Sequence, residues 1–391
     1  MKVLLLGGTG VFGSQAAAFL VGDTLITEVA LASRHIEAAR QAALKIGDKA
    51  RAVCVDIKDV DKLSSIAFDF DIIVNAAGPT SEVQVPAIQA AIEAGVHYCD
   101  LAAIGKYADR ALKLDTQARA SGVTAVIATG WVAGTSLMAV HAARMLDVTS
   151  HISACWLFDY SPGHYFSPVQ SLARARELGR IETSWDMIET AGESQTTYRE
   201  GRWLRLDPLE NPVEVIHPSG SKITGYLADS PSTYTLPTYL PGVQTVTCLL
   251  GITPPQLMEL FIQKSQRIGR GETDWSGAAL DFLETAIEDE NRWLIAPTRY
   301  PKGWWMWVVA EGQKDGRKAR YICWLSMVLN WTIVPLIIVA LRILRGDVSQ
   351  RGVFPAEACF KLGPFLDEAS TYLSADHQGK PLLNERFEWL D

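Results

Sequence analysis

The sequence has no basic surplus and no run of lysines and arginines. Its formal net charge is -8. A nucleic-acid binder needs a positive face, so that class is excluded as a partner. Paired cysteines are missing too. Cys54, Cys99, Cys155, Cys248, Cys323 and Cys359 form no C-x-x-C pair and no zinc spacing with the seven histidines. They read as free thiols of a reducing compartment, with no metal site expected. Ahead of the first glycine stand one lysine and the short apolar run Val3–Leu6. That is too little for a signal peptide, so a cytoplasmic location is expected. There is no internal repeat and no low-complexity linker. What remains is a globular chain of 391 residues, 48% hydrophobic and 20% charged, long enough for two domains.

One stretch lacks charge altogether. From Tyr321 to Leu341, "YICWLSMVLNWTIVPLIIVAL" runs uncharged between Arg320 and Arg342. Its length suits a membrane span, while Asn330, Thr332 and Pro335 weaken that reading. Half of the twelve tryptophans lie between Trp293 and Trp331, and indoles favour membrane interfaces. Three readings stand: a buried helix, a homodimer interface, or membrane contact that brings an apolar substrate to the protein.

The first third alternates short apolar runs with helical patterns. "KVLLLGG", "EVALASR", "ARAVCVDI", "DIIVNAAGP", "HYCDLA" and "VTAVIATG" read as strands. Between most of them lie helix formers closed by Gly22, Gly47 and Gly122. Six strands in that alternation predict an α/β, doubly wound parallel sheet of Rossmann type. After Gly130 the pattern changes. "TSLMAVHAARMLD" reads as a linking helix, and later segments rich in β-formers are cut by Pro and Gly. "GWWMWVVAEGQKDGRKARYICWL" reads as a hairpin turning at Asp315–Gly316. The second domain is expected to be α+β with its own mixed or antiparallel sheet. The expected boundaries are 1–134 for the nucleotide domain, 135–345 for the second, and 346–391 for a C-terminal segment packing back on the first.

"GGTGVFG" follows the first strand and opens a helix. Gly8, Gly10 and Gly13 fall on the dinucleotide fingerprint: a tight turn, a close approach to a pyrophosphate, and close helix packing. Thr9, Val11 and Phe12 complete the turn, whose amides face the phosphates at the helix start. A Walker loop needs Lys-Ser or Lys-Thr after its last glycine, and here Ser14-Gln15 follows. The second strand lacks the terminal carboxylate that holds a ribose 2′-hydroxyl. It ends instead in Ser33 and Arg34, which suit a 2′-phosphate. NADP is therefore the expected cofactor. Asp56 and Ile57 sit where the adenine edge is expected, and Ala77, Gly78, Pro79 and Trp131 beside the nicotinamide.

The pieces "GGTGVFG", "DIIVNAAGP", "VPAIQAAIEAGVHYCDLA", "GVTAVIATGWVAG" and "RGVFPAEACF" together resemble the saccharopine dehydrogenase-like family. The resemblance implies a Rossmann domain, a separate catalytic domain with a mixed sheet, and a returning C-terminal segment. It also implies hydride transfer to or from an imine of an amino-acid-derived amine. The chain departs from that pattern after the sixth strand. Where amino-acid-handling members tend to carry Asp-Pro-Gly or Pro-Gly, it has Trp131, Val132, Ala133 and Gly134. An α-amino-acid substrate is thereby placed in doubt. Short-chain reductases need Tyr-x-x-x-Lys, and no tyrosine here has a lysine four positions on.

In such sheets ligands sit beyond the carboxyl ends of the strands. "HYCDLAAIGKY" is the richest of the loops there, with His97, Cys99, Asp100, Lys106 and Tyr107. Imine reduction needs a proton donor at nitrogen. Asp100 is the first candidate, since burial at a strand end raises a carboxyl pKa. Lys106 and Tyr107 follow. Asp159, Tyr160 and His164 from the second domain are further candidates without a supporting motif. The expected function is NADP-dependent hydride transfer at a C–N bond of a small molecule. Reduction of a C=C or C=O bond in an apolar substrate, or a non-catalytic NADP(H) sensor or scaffold, remain open.

Overall fold

The computed structural model describes residues 1–160, 166–288, 303–326, 329–377 and 381–390. The chain divides into two compact units, Met1–Leu137 with Val328–Lys380, and Met138–Met327 with Pro381–Asp391.

The first unit begins β1 (Lys2–Leu6), α1 (Val11–Gly22), β2 (Glu28–Ser33), α2 (Ile36–Ile46), β3 (Ala50–Cys54), α3 (Val60–Ala67), β4 (Ile72–Asn75), α4 (Thr80–Ala94), β5 (His97–Asp100), α5 (Gly105–Leu112), α6 (Asp115–Ala120), β6 (Thr124–Ile127) and the first half of α7 (Trp131–Arg144), whose second half counts with the second unit. All six expected strands are present and parallel, in the order β6-β5-β4-β1-β2-β3. A seventh, Gly352–Pro355, adds beside β6 from far along the chain. The order reverses between β1 and β4, so the crevice for a ligand opens at the ends of those two strands.

Strands buried on both faces read as continuous apolar runs, and Val3–Leu6 is fully buried. Alternate residues, Leu4 and Leu6 among them, face the core under α3 and α4. The opposite face is covered by α1 and by the helix Val334–Arg345, which packs against α1, β4 and β5. This helix is the second half of the uncharged run.

The run is therefore not one helix. Its beginning lies in a strand, Arg317–Ser326, and Val334–Leu341 is wholly buried on the sheet of the first unit. Among the described residues no helix is long and apolar enough to cross a membrane. Arg342 closes the run. Its guanidinium donates to Glu368 at 2.7 Å and lies over the Phe360 ring. Arg345 reaches the same carboxylate at 2.9 Å.

The second unit holds β7 (Val148–Asp159), β8 (Gln195–Arg199), β9 (Arg202–Leu206), β10 (Val213–Ile216), β11 (Lys222–Leu227), β12 (Thr245–Thr253), β13 (Trp305–Lys314) and β14 (Arg317–Ser326). With the final strand Asn384–Trp389 they form one mixed sheet, β10-β11-β12-β7-β13-β14-final, with β8 and β9 branching from β12. Among the described residues only β7 and β12 run parallel; the other pairs are antiparallel. The hairpin at Asp315–Gly316 is as the sequence suggests. Helices Pro168–Leu178, Pro255–Gly269 and Trp275–Glu288 belong to this unit.

The tryptophans near the run lie inward. Trp307 is buried, and its indole N–H donates to the Ile216 carbonyl at 3.0 Å. The β10–β11 ribbon thus folds across the sheet onto β13. Arg386 of the final strand holds it as well, donating to the Pro218 carbonyl at 2.7 Å. Under the ribbon, His217 meets Trp305 and Trp307 edge-on, at 4.6 and 5.2 Å between ring centroids. Trp304 stacks on Phe166. Trp293 lies outside the described residues.

Two outcomes are expected. Leu341→Ala empties a fully buried position; it should cost about 2–5 kcal/mol in urea unfolding. His217 is pulled by burial from its ordinary 6.5 to about 4. The unfolded chain therefore takes up a proton that the folded chain refuses. The stability tied to the neutral ring is present above pH 6.5 and is lost as the pH falls through about 4. In His217→Phe the unfolding midpoint should fall less steeply across that window, whatever the substitution costs at pH 7.

Candidate functional site

The site begins where β1 ends. Gly7 takes a left-handed conformation (φ 75°), which a Cβ disfavours. A Cβ on Gly7 would also lie 2.7 Å from the backbone N and Cα of Ala77, at the end of β4. The Gly10 amide donates back to the Gly7 carbonyl at 2.9 Å, closing the turn. A Cβ on Gly13 would overlap that same carbonyl oxygen, so α1 can start here only with glycine at 13. Gly8 faces the Leu31 side chain, and around Gly10 only the Gly7 oxygen lies within reach, 3.3 Å from where a Cβ would sit. Thr9, Val11 and Phe12 form the lip of the turn. The first amides of α1 have no acceptor within the helix. The first turn carries no acidic residue to compete for them. This cradle fits a dinucleotide pyrophosphate. Gly7 was missed in the sequence; the doubled glycine was its only signal.

At the end of β2, the Ser33 hydroxyl accepts from the His35 amide at 3.1 Å, and Arg34 is exposed. At the end of β3, Asp56 caps its own turn by accepting from the Lys58 amide at 3.0 Å, with Ile57 half-buried beside it. Lys58 pairs with Glu82 at 2.9 Å. That carboxylate raises the Lys58 pKa, Asp56 adds to the effect, and Arg34 opposes it. Two cations, Arg34 and Lys58, thus stand near each other at the ends of neighbouring strands. The sequence reading had only the first.

The β4 end carries Ala77, Gly78 and Pro79, all half-buried, with Pro79 as the N-cap of α4. The Ala77 amide donates to Asn75 Oδ1 at 3.0 Å. Asn75 in turn donates to the Tyr98 hydroxyl at 3.0 Å. Asp100, 1% exposed, closes β5. Its Oδ2 accepts from Gln84 at 2.8 Å and from Tyr98 at 3.0 Å. Its Oδ1 accepts from the amides of Ala102 at 3.1 Å and Ala128 at 2.8 Å. Burial raises the Asp100 pKa and these four bonds oppose the rise. Both oxygens are saturated.

Lys106 and Tyr107 open α5. The Lys106 ammonium and the Arg110 guanidinium each lie 5.2 Å from the centre of the buried Tyr107 ring. Trp131, half-buried, begins α7. His97 accepts from the Thr124 amide at 3.2 Å, and burial lowers its pKa. The Cys99 thiol is wholly buried and pushed well above its ordinary pKa. In the second unit, Asp159 accepts from the Gly303 amide at 2.8 Å, which anchors the entry to β13. Tyr160 is packed between Phe158 and Trp185, and burial raises its pKa. His164 lies outside the described residues. Tyr98, Gln84 and Asn75 were not singled out in the sequence. The i, i+2 spacing of Tyr98 and Asp100 on one strand face was the available sign.

Residues 3–126 match the family described as the saccharopine dehydrogenase NADP binding domain. No curated protein matches the chain. Among solved structures, apo saccharopine dehydrogenase (L-Glu forming) from Saccharomyces cerevisiae aligns over 99% of both chains at 15% identity, with a TM-score of 0.63. GenD2 from gentamicin A biosynthesis, in complex with NAD, aligns over 100% of this chain and 96% of its own at 12% identity, with a TM-score of 0.42. The yeast enzyme shares the fold through both units. The glycine cradle, the strand order and the matched segment agree on a nicotinamide-dinucleotide seat: residues 3–126 form an NADP binding domain of the saccharopine dehydrogenase type, and the chain is an NADP-binding oxidoreductase.

Proposed function

We propose that the protein moves hydride between NADP(H) and the carbon of a C–N bond, an imine on one side and a secondary amine on the other, in a small molecule. The carrying observation is the fold: it follows a saccharopine dehydrogenase from end to end. Saccharopine is itself a secondary amine. NADPH, when bound, supplies the hydride; the chain supplies the rest.

Gly7, Gly10 and Gly13 leave room for the pyrophosphate and aim the α1 amides at it. Arg34 and Ser33 receive the 2′-phosphate, with Lys58 adding positive potential beside them. The backbone at Ala77–Pro79 borders the nicotinamide ribose. Lys106, partly exposed past the end of β5, is the candidate to hand a proton to nitrogen. Trp131, Val132 and Ala133 carry no charged side chain to pair with an α-carboxylate or α-ammonium group. The same residues favour a second reading, reduction of a C=C or C=O bond in an apolar substrate.

Fluorescence titration should show NADPH binding more tightly than NADH. Arg34→Ala should weaken NADPH by about tenfold and leave NADH unchanged. Equal affinities in the wild type would remove the 2′-phosphate assignment. Gly13→Ala should lose nucleotide binding together with about 3 kcal/mol of stability, whereas Gly10→Ala should lose binding with little change in stability. NADPH oxidation with imines, enals and ketones then ranks the substrate classes. Turnover of ketones or enals but not imines would select the second reading, and no turnover at all would indicate a sensor. Lys106→Met should abolish turnover and spare NADPH affinity; unchanged turnover would end its candidacy.

A further inference from the structure

We infer that Asp100 is a positioning residue, a buried hub that locks the loops after β4, β5 and β6 into one arrangement around the nicotinamide end of the cleft. The inference rests on the cofactor reading above only for its functional consequence.

The hydrogen bonds form a continuous chain. Ala77 donates to Asn75, Asn75 to Tyr98, and Tyr98 to Asp100. From Asp100 the chain forks to Ala102, in the loop after β5, and to Ala128, in the turn after β6. Thr129 adds two bonds to the Asp100 carbonyl, from its amide at 2.8 Å and its hydroxyl at 2.6 Å. Both ends of Asp100 therefore grip the β6 turn.

That turn is not relaxed. Ala128 sits at φ 58°, a left-handed conformation that a residue with a Cβ adopts at a cost. Its amide is one of the two donors to Asp100 Oδ1. Gly130 follows, and a Cβ there would lie 3.2 Å from Leu101 of the neighbouring loop. Trp131 comes next, so the orientation of its indole depends on the turn that Asp100 holds. At the other end of the chain, Ala77 is the surface against which Gly7 is packed. The hub thus ties the floor of the pyrophosphate seat to the residues expected at the nicotinamide.

A general acid must present a proton to substrate. Asp100 instead accepts four bonds on two oxygens, which fills its acceptor sites, and it is almost entirely buried. A buried carboxylate whose acceptor sites are all filled specifies a geometry rather than delivering a proton. Asp100 therefore acts through the loops it holds.

The full-length protein tests this with Asp100→Ala and Tyr98→Phe. In the apo protein, hydrogen exchange in Asp100→Ala should rise together in 76–80, 101–104 and 128–131, and not in β1 or β2. Tyr98→Phe keeps the ring and cuts one link, so the rise should be confined to 76–80. NADPH affinity in Asp100→Ala should fall by about tenfold or more, while 2′,5′-ADP, which lacks the nicotinamide half, should change by less than about twofold. In Asp100→Asn the pH profile of turnover should keep its shape. Exchange rising only in 101–104, equal losses for both nucleotides, or a missing limb of the pH profile would each overturn the proposal. If the wild type bound neither nucleotide, the cofactor reading would fall, and the exchange data alone would still decide the hub.

Discussion

One close approach governs the first unit: α1 starts against the carbonyl of Gly7, in space that any side chain at position 13 would fill. Everything at the cofactor seat follows from it. With the helix drawn in, its free amides stand over the crevice where the strand order reverses. Gly7 is in turn pressed against β4, so the turn is fixed from both sides. A phosphate-binding site is here a consequence of packing, with no cationic side chain in the turn itself.

Much of this was legible in the sequence, and the reasons are physical. Strands buried on both faces are short apolar runs, so β1 to β6 could be read directly. Gly10 and Gly13 declare their roles through spacing. Gly7 did not, because a left-handed turn leaves no pattern beyond the glycine itself. Helix α3 was passed over, since "VDKLSSIA" has only two turns in which to show periodicity. The uncharged run left three readings open for a related reason. Periodicity cannot separate a fully buried strand from a fully buried helix, and 321–341 contains one of each. Asp100 was found as a residue of interest. Gln84 was not, because it meets Asp100 only through the winding of the sheet, as Asn75 meets Tyr98; Tyr98 itself stands two residues away on the same strand.

The second unit shows how aromatic residues can be misread from composition. A cluster of tryptophans beside an apolar segment suggests an interface. Here the indoles build the inside of a folded-over sheet, where Trp307 ties β13 to the β10–β11 ribbon and His217 fits between two rings. Trp and Tyr suit such places because each carries a large apolar body and one polar atom that must find a partner.

The helix Val334–Arg345 and the strand Gly352–Pro355 complete a sheet whose other strands were made more than two hundred residues earlier. During synthesis, the face of β4 and β5 that this helix covers must wait for it until residues 138–327, nearly all of the second unit, have been translated. The nucleotide domain is therefore among the last parts of the chain to close, although most of it precedes the second unit in the sequence. Its nascent form carries a bare apolar sheet face of the kind that chaperones shield. A fragment cut after residue 137 would keep the glycine cradle and still lack the layer that buries its own sheet.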